Sequence, residues 1–81
     1  MPKAKVYVTL KKGVLDPQGL TVQRALEALG YSEVQEVRMG KYLEVTLADG
    51  PKEELQAHVV EMCEKLLSNP VIEDYQFEIE S

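Results

Sequence analysis

The sequence predicts an α+β protein in which four strands and two helices follow one another in the order βαββαβ. Stretches that alternate apolar and polar residues are typical of half-buried strands, and they occur at both ends of the chain and in its middle. Between them lie two stretches with apolar residues at helical spacing, each preceded by an Asp and a Pro. At 81 residues, the chain is expected to be a single domain over residues 1–81.

The first strand is predicted over residues 3–11, with one apolar face formed by Ala4, Val6, Val8 and Leu10. Asp16 precedes a proline, which disfavours the α conformation, so Asp16 is predicted to be the N-cap of the first helix. Pro17 suits the first helical position because its missing N–H has no partner there. The helix is expected to end at Leu29 or Gly30, since glycine readily adopts the left-handed conformation that follows a last turn.

Two further strands are predicted over residues 34–39 and 42–47, joined as a hairpin through Gly40 and Lys41. A two-residue turn would place Val37 opposite Glu44, a poor pairing for a buried face. A three-residue turn would bring apolar residues opposite one another: Met39 with Leu43, and Val37 with Val45. We therefore expect that turn, or a bulge near Arg38.

The second helix is expected to begin at the signal Asp49-Gly50-Pro51, with Pro51 at the first helical position, and to end at Asn69-Pro70. Its apolar stripe contains Leu55, Val59, Met62, Cys63 and Leu66. Asn69 is expected to take the left-handed cap, and a last strand follows over residues 73–80.

Two helices on one face of a four-stranded antiparallel sheet form the ferredoxin-like sandwich, which is the predicted architecture. The opposite face of this sheet is expected to be polar with aromatic islands, formed by Lys5, Tyr7, Thr9, Arg38, Glu44, Thr46 and Glu78, with Tyr42 as a further candidate. Such a face suits water or a wet subunit interface.

Charge and size indicate the kind of partner to expect. Nine basic residues against fourteen acidic ones give a net charge of -5, which opposes binding to nucleic acid or to anionic membranes. The single cysteine, Cys63, cannot form an internal disulfide, and we expect a cytoplasmic protein. A chain this short buries only about 60 to 65% of its unfolded surface, so self-association as a homodimer or a dimer of dimers is expected.

No catalytic residue, metal site or cofactor site is predicted for this chain. His58 and Cys63 are five residues apart, about 140° around a helix, so they cannot share a metal. Gly13 and Gly19 lack the spacing of a nucleotide-binding loop. Asp16 is expected to act as a helix cap and not as a catalytic acid.

Four segments together resemble one family, the small subunit of phosphoribosylformylglycinamidine synthase, called PurS. They are Lys11-x-Gly13-Val14-Leu15-Asp16-Pro17-Gln18-Gly19, Ala25-Leu26-x-x-Leu29-Gly30-Tyr31, Val37-Arg38-x-Gly40-Lys41 and Leu66-Leu67-x-Asn69-Pro70-Val71-Ile72-Glu73-Asp74-Tyr75. The resemblance covers nearly the whole chain in order, and the first and last segments are the most specific because their loop and cap residues agree.

The resemblance implies a non-catalytic subunit of a glutamine-dependent carbon–nitrogen ligase in purine (IMP) biosynthesis. Such a subunit would bridge the large ATP-dependent synthetase, PurL, and the glutaminase, PurQ. Ammonia from glutamine would then convert formylglycinamide ribonucleotide to formylglycinamidine ribonucleotide. Side-by-side pairs of such units in single-chain versions of the enzyme fit a homodimer.

The candidate partner-binding residues come from the loops and basic spots: Lys11, Lys12, Gly13, Asp16, Arg38, Gly40, Lys41, Asn69 and Pro70. The alternative function is a ligand-sensing regulatory module of ferredoxin-like fold, in which the loop over residues 13–19 would contact a small molecule. A thermal shift with amino acids and nucleotides would discriminate between the two.

Overall fold

The computed structural model describes residues 1–80, and its elements confirm the α+β class. In chain order they are β1 Lys3–Leu10, α1 Pro17–Ala28, β2 Gly40–Thr46, α2 Lys52–Met62 and β3 Glu73–Glu80, with a π-helical turn, Cys63–Leu67, extending α2. The strands of the described residues form one antiparallel sheet in the order β2-β1-β3. β1 is therefore the central strand.

The core lies between one face of this sheet and α2. Ala4, Val6 and Val8 of β1 are fully buried, and they pack against Val59 and Cys63. The inward residues of β3, which are Tyr75, Phe77 and Ile79, pack against the same cluster. The predicted alternation of β1 and of the last strand is confirmed.

The outer face of the sheet is polar with an aromatic pair at its centre, as predicted, except that Arg38 lies outside the sheet, in the segment that leads into β2. Tyr7 and Tyr42 are opposite each other in the β1–β2 ladder, and their rings stack with centroids 5.1 Å apart. The Tyr7 hydroxyl donates to Glu78 at 3.1 Å, and the Tyr42 hydroxyl donates to Glu44 at 2.9 Å. These bonds hold charged and aromatic side chains in one ordered layer.

The predicted strand over residues 34–39 is not formed within the described chain, so the sheet has three strands and not four. The hairpin prediction is wrong for the single chain, and neither turn register applies. Gly40 and Lys41 belong to β2, where they pair with Thr9 and Val8 of β1. Because the backbone of Gly40 is already paired with β1, the chain cannot reverse its direction there to form a hairpin.

The prediction that both helices cover the sheet is also not met by the single chain, because α1 projects away from it. We call residues 16–39, which contain α1 and the segment that returns from it, the arm, and the sheet with α2 the body. Among the described residues, the core cluster contains no side chain of the arm. The molecule is 49 Å long, and its radius of gyration is 16.1 Å, whereas a compact chain of this length would have about 12 Å.

Both ends of α1 agree with the sequence prediction. The side chain of Asp16 caps the helix by accepting a hydrogen bond from the Gly19 N–H at 2.9 Å, and Pro17 is the first helical residue. The last turn closes at Leu29, and Gly30 follows with φ of 101°.

The second helix departs from prediction at both ends. Pro51 has an extended ψ of 133° and occupies the N-cap, so the helix begins one residue later, at Lys52. At the other end, the backbone N–H and the hydroxyl of Ser68 both donate to the Cys63 carbonyl at 2.9 Å, which closes a π-helical turn.

This π-helical turn changes which leucine faces the core. A π turn contains one residue more than an α turn, so the side chains after it rotate relative to the predicted stripe. Leu66, predicted to be in the stripe, is 81% exposed, and Leu67 packs against the core instead. Asn69 does not take a left-handed conformation. Its side-chain oxygen accepts a hydrogen bond from the Val71 N–H at 3.1 Å.

Candidate partner-binding site

Most of the sequence-predicted site residues meet at one end of the body, which we call the loop end. Here β1 ends and both neighbouring strands begin, because Thr9 pairs with Gly40 and Leu10 pairs with Glu73. Antiparallel pairing therefore brings together loops that are far apart in sequence. The residues concerned are Lys11, Asp16, Arg38, Gly40, Lys41, Asn69 and Pro70.

The side chain of Asp16 links the start of the arm to its end. One carboxylate oxygen accepts from the Gly19 N–H at 2.9 Å, and the other accepts from the Met39 N–H at 2.8 Å. These backbone N–H groups, first that of Met39 and then that of Gly19, lower the pKa of Asp16 below its usual 3.8. The carboxylate is thus a structural clamp, and both of its oxygens already have partners.

The stability that the Asp16 carboxylate contributes should depend on pH in the acid range. A carboxylate with a lowered folded-state pKa stabilises the fold above its ordinary pKa of 3.8, and this contribution disappears as pH falls through the lowered value. The difference in Tm between the native chain and Asp16→Asn should therefore be constant from pH 7 to about pH 5 and shrink below about pH 4. Melting curves from pH 7 to pH 2.5 give the test. A Tm difference that stays the same down to pH 2.5 would mean that charge on Asp16 is irrelevant.

Lys11 and Asn69 organise the other side of the loop end. The Lys11 ammonium lies 3.0 Å from the Asp74 carboxylate, and the Lys11 N–H donates to the Ile72 carbonyl at 2.8 Å. The carbonyl of Asn69 accepts from the N–H groups of Ile72 and Glu73 at 3.0 and 2.7 Å. The chain after α2 is consequently held in a defined turn that leads into β3.

Between these groups lies an open cleft of about 620 Å³ on the polar side of the sheet. Lys11, Arg38 and Pro70 line it, together with Tyr7 and Asp74. The Arg38 guanidinium donates a hydrogen bond to the Leu10 carbonyl, and this bond places the Arg38 side chain across the end of β1. A smaller hollow of about 280 Å³, lined by Asp16, Gly40 and Lys41 among others, lies on the arm side of the loop end.

Three predicted residues, Lys12, Gly13 and Asn69, line neither hollow. Lys12 and Gly13 are exposed in the turn between β1 and α1, whereas Asn69 acts through the turn that it holds before β3. Conversely, sequence reasoning did not select Asp74 or Tyr7, although both line the cleft. Asp74 could have been found from the strand register, because it is directly opposite Thr9, beside Lys11.

The nucleophilic and metal-binding residue types are not gathered at this site. Cys63 is buried in the core, and burial raises the pKa of its thiol. Among residues 1–80, no three His, Cys, Asp or Glu side chains come close enough to hold a metal ion. Nor does any helix of this part of the chain have the length and apolar character needed to cross a membrane.

An elongated α+β chain with a projecting arm and a polar loop end defines a small subunit suited to contacts with other protein chains. The chain belongs to the PurS family: the family model described as PurS, phosphoribosylformylglycinamidine (FGAM) synthase, matches residues 3–81. The PurS subunit of this synthase from Bacillus subtilis is 58% identical over 80 residues, which are 99% of this chain and 94% of that protein.

Solved structures agree with the family assignment over the full length. The structure of B. subtilis PurS in its C2 crystal form matches with a TM-score of 0.88 at 57% identity, and it covers 100% of both chains. A chain in the structure of PurLQS from Thermotoga maritima matches with a TM-score of 0.85 at 30% identity, over 99% of both chains. This chain is thus similar, end to end, to a protein solved within a PurLQS assembly.

Proposed function

We propose that this chain is the non-catalytic small subunit of phosphoribosylformylglycinamidine synthase, where it bridges PurL and PurQ in purine biosynthesis. The observation that carries the proposal is the match, over 99% of both chains, to a chain of the T. maritima PurLQS structure. The local chemistry is compatible, because Asp16 accepts hydrogen bonds from two backbone N–H groups and Lys11 pairs with Asp74, so these polar groups make structural contacts.

The loop end is the proposed contact surface for the larger subunits. Its residues come from three separate parts of the chain, and the pairing of β1 with β2 and β3 brings these parts to one end of the sheet. The proposed contact residues are those selected from the sequence: Lys11, Lys12, Gly13, Asp16, Arg38, Gly40, Lys41, Asn69 and Pro70. Loops on a rigid scaffold commonly carry such contacts.

We also propose that the chain works in the cytoplasm, as a single domain over residues 1–81, and that it self-associates as a homodimer or a dimer of dimers. Self-association is supported by the shape of the single chain, since the arm is held outside the core. A small chain with so much unburied apolar surface gains stability from a second copy.

Charge reversal at the loop end tests the contact surface. Lys12→Glu combined with Lys41→Glu should weaken binding to the PurL and PurQ subunits at least about tenfold, because positive charge at an interface rim would become negative. Both lysines are exposed, so the fold should be unaffected. Binding is measured by titration of the labelled chain with the two subunits.

Lys12→Glu and Lys41→Glu are also made singly, and Lys52→Glu is the control for each of them because all three change the net charge equally. Lys52 is also exposed but lies at the start of α2, near the opposite end of the sheet. The control should bind as the native chain does. If the double variant also binds normally, the larger subunits do not use these two lysines. If the control loses affinity equally, the effect reflects net charge and not the site.

A ligand-sensing module remains the second candidate. The observation in its favour is the hollow beside the loop over residues 13–19, which Asp16 and Gln18 help to line. Against it, both Asp16 oxygens already accept backbone hydrogen bonds. A rise in Tm with an amino acid or a nucleotide, in the absence of PurL and PurQ, would favour this function.

A further inference from the structure

The open cleft of about 620 Å³ at the loop end carries groups of both charges, and they come from opposite sides of β1. The positive group is Arg38, which reaches the end of β1 from the arm and donates a hydrogen bond to the Leu10 carbonyl. The negative groups are Glu73 and Asp74, which begin β3 and pair in the sheet with Leu10 and Thr9. Neighbouring strands lie about 4.8 Å apart, so one small molecule can contact groups of both signs.

The Arg38 guanidinium has donors to spare for a ligand. Among residues 1–80 it forms no ion pair, and its hydrogen bond to the Leu10 carbonyl uses one terminal nitrogen. The Asp16 carboxylate, which is near enough for the Arg38 charge to act on it, already accepts two backbone N–H groups. The rest of the planar guanidinium can therefore donate to a carboxylate, which it fits with two parallel hydrogen bonds.

The acidic side of the cleft has acceptors to spare in the same way. One oxygen of Glu73 accepts from the Asn69 N–H at 2.6 Å, and one oxygen of Asp74 lies 3.0 Å from the Lys11 ammonium. A carboxylate has about four acceptor positions, so each group can still accept from a bound cation. Because Lys11 balances the charge of only one carboxylate, this side of the cleft keeps a net negative charge.

This distribution of charge selects a class of ligand. A phosphate would be attracted by Arg38 but repelled by Glu73 and Asp74, and a simple cation would meet the reverse. A free α-amino acid carries one anionic and one cationic group on the same carbon, so it satisfies both sides. The Thr9 hydroxyl and the Gln76 amide also line the cleft, and both can donate and accept hydrogen bonds, which suits a neutral polar side chain.

We propose that this cleft binds a free α-amino acid with a neutral polar side chain, its carboxylate on Arg38 and its ammonium on Glu73 and Asp74. The site goes beyond the proposed bridging role, and it is separate from the hollow beside residues 13–19. Arg38 belongs to the arm, whereas the two carboxylates belong to the body. The bound molecule therefore links the arm to the body and holds the end of the arm in place.

A titration of the isotope-labelled 81-residue chain with L-glutamine, followed by NMR, tests the proposal. L-Glutamine carries both charges and a side-chain amide that Thr9 and Gln76 can bind. Saturable shifts should be confined to the amides of residues 9–11, 38–39 and 73–76. The dissociation constant should be about 1 mM, because the cleft is open to water and its charges are screened. No saturable shift at these amides would overturn the proposal.

Two analogues of glutamine show whether both charges are recognised, and they use the native chain, so no variant has to fold. Glutaramate lacks the ammonium, and L-glutaminol lacks the carboxylate. Each should bind at least about tenfold more weakly than L-glutamine, because each leaves charged groups of the cleft without a partner. If either analogue binds as tightly as L-glutamine, the cleft does not recognise a zwitterion and the proposal is wrong.

A substitution at Arg38 assigns the carboxylate contact. Arg38→Gln should weaken binding of L-glutamine at least about tenfold, but it should not weaken binding of L-glutaminol further, since that analogue has no carboxylate to lose. Arg24→Gln is the matched control, because Arg24 is also an exposed arginine of the arm but does not line the cleft. It should bind L-glutamine as the native chain does.

Unchanged affinity for L-glutamine in Arg38→Gln, or an equal loss in Arg24→Gln, would contradict the proposed contact. All of these measurements use this chain without PurL or PurQ. Their failure is therefore distinguishable from failure of the proposed bridging function, which is measured only with the larger subunits.

Discussion

Omission of this chain should reduce the glutamine-dependent turnover of the synthase to roughly a tenth or less, whereas turnover with concentrated ammonium salt should change far less. A bridge between a glutaminase and a synthetase raises the effective concentration of one site near the other, which matters only when ammonia must pass between them. Free ammonia supplied to PurL removes this requirement. The assay measures product formed by PurL with ATP and substrate, with either nitrogen source.

A titration in which this chain is added back to the other two subunits is the control for this result. Adding the chain back should restore glutamine-dependent turnover in step with assembly of the complex, as measured by mass. The chain alone should hydrolyse neither ATP nor glutamine. If omission reduces both activities equally, the chain contributes to the synthetase site itself, and the bridging proposal is wrong.

Replacing Gly19 with alanine should lower the Tm by roughly 8 to 16 °C, which corresponds to about 2 kcal/mol in a chain of this size. In an ordinary helix interior the same change is stabilising, because alanine is the better helix former. Here a Cβ on Gly19 would lie 2.3 Å from the Val37 carbonyl oxygen and 2.5 Å from a carboxylate oxygen of Asp16. The arm would have to open or the Asp16 clamp would have to break.

Thr21→Ala is the matched control in the same helix. Thr21 is exposed and also gains helix propensity on replacement, so its Tm should move by only a few degrees. Thermal unfolding followed by circular dichroism measures both variants. A Gly19→Ala chain that melts at or above the native temperature would show that the return segment of the arm can move away from α1 at little cost.

Local patterns accounted for much of the fold. The alternation of β1 and β3, the cap at Asp16 and the end of α1 before Gly30 were all predicted, because each depends on residues that are neighbours in the chain. Most of the candidate site also followed, since loop residues at strand ends meet once the strands pair. Asp74 was missed because its closeness to Lys11 arises from the β1–β3 register.

The structure differs from the sequence prediction where backbone hydrogen bonds or strand pairing outweigh the local residue pattern. Gly40 and Lys41 have the composition of a turn, yet pairing with β1 draws them into β2. The apolar stripe of α2 predicts Leu66 in the core, but the hydrogen bonds from Ser68 to the Cys63 carbonyl insert a π turn and put Leu67 there instead.

By itself, the sequence determined the two helices, three of the four predicted strands, the α1 cap and the family, because periodicity, capping chemistry and motif spacing are properties of adjacent residues. Only the tertiary structure decided where the arm lies. That position depends on the contacts of Asp16 with Met39 and of Gly40 with β1, each of which joins residues more than twenty positions apart. Contacts at such separation carry a loop-closure cost and compete with alternatives that the local pattern cannot rank.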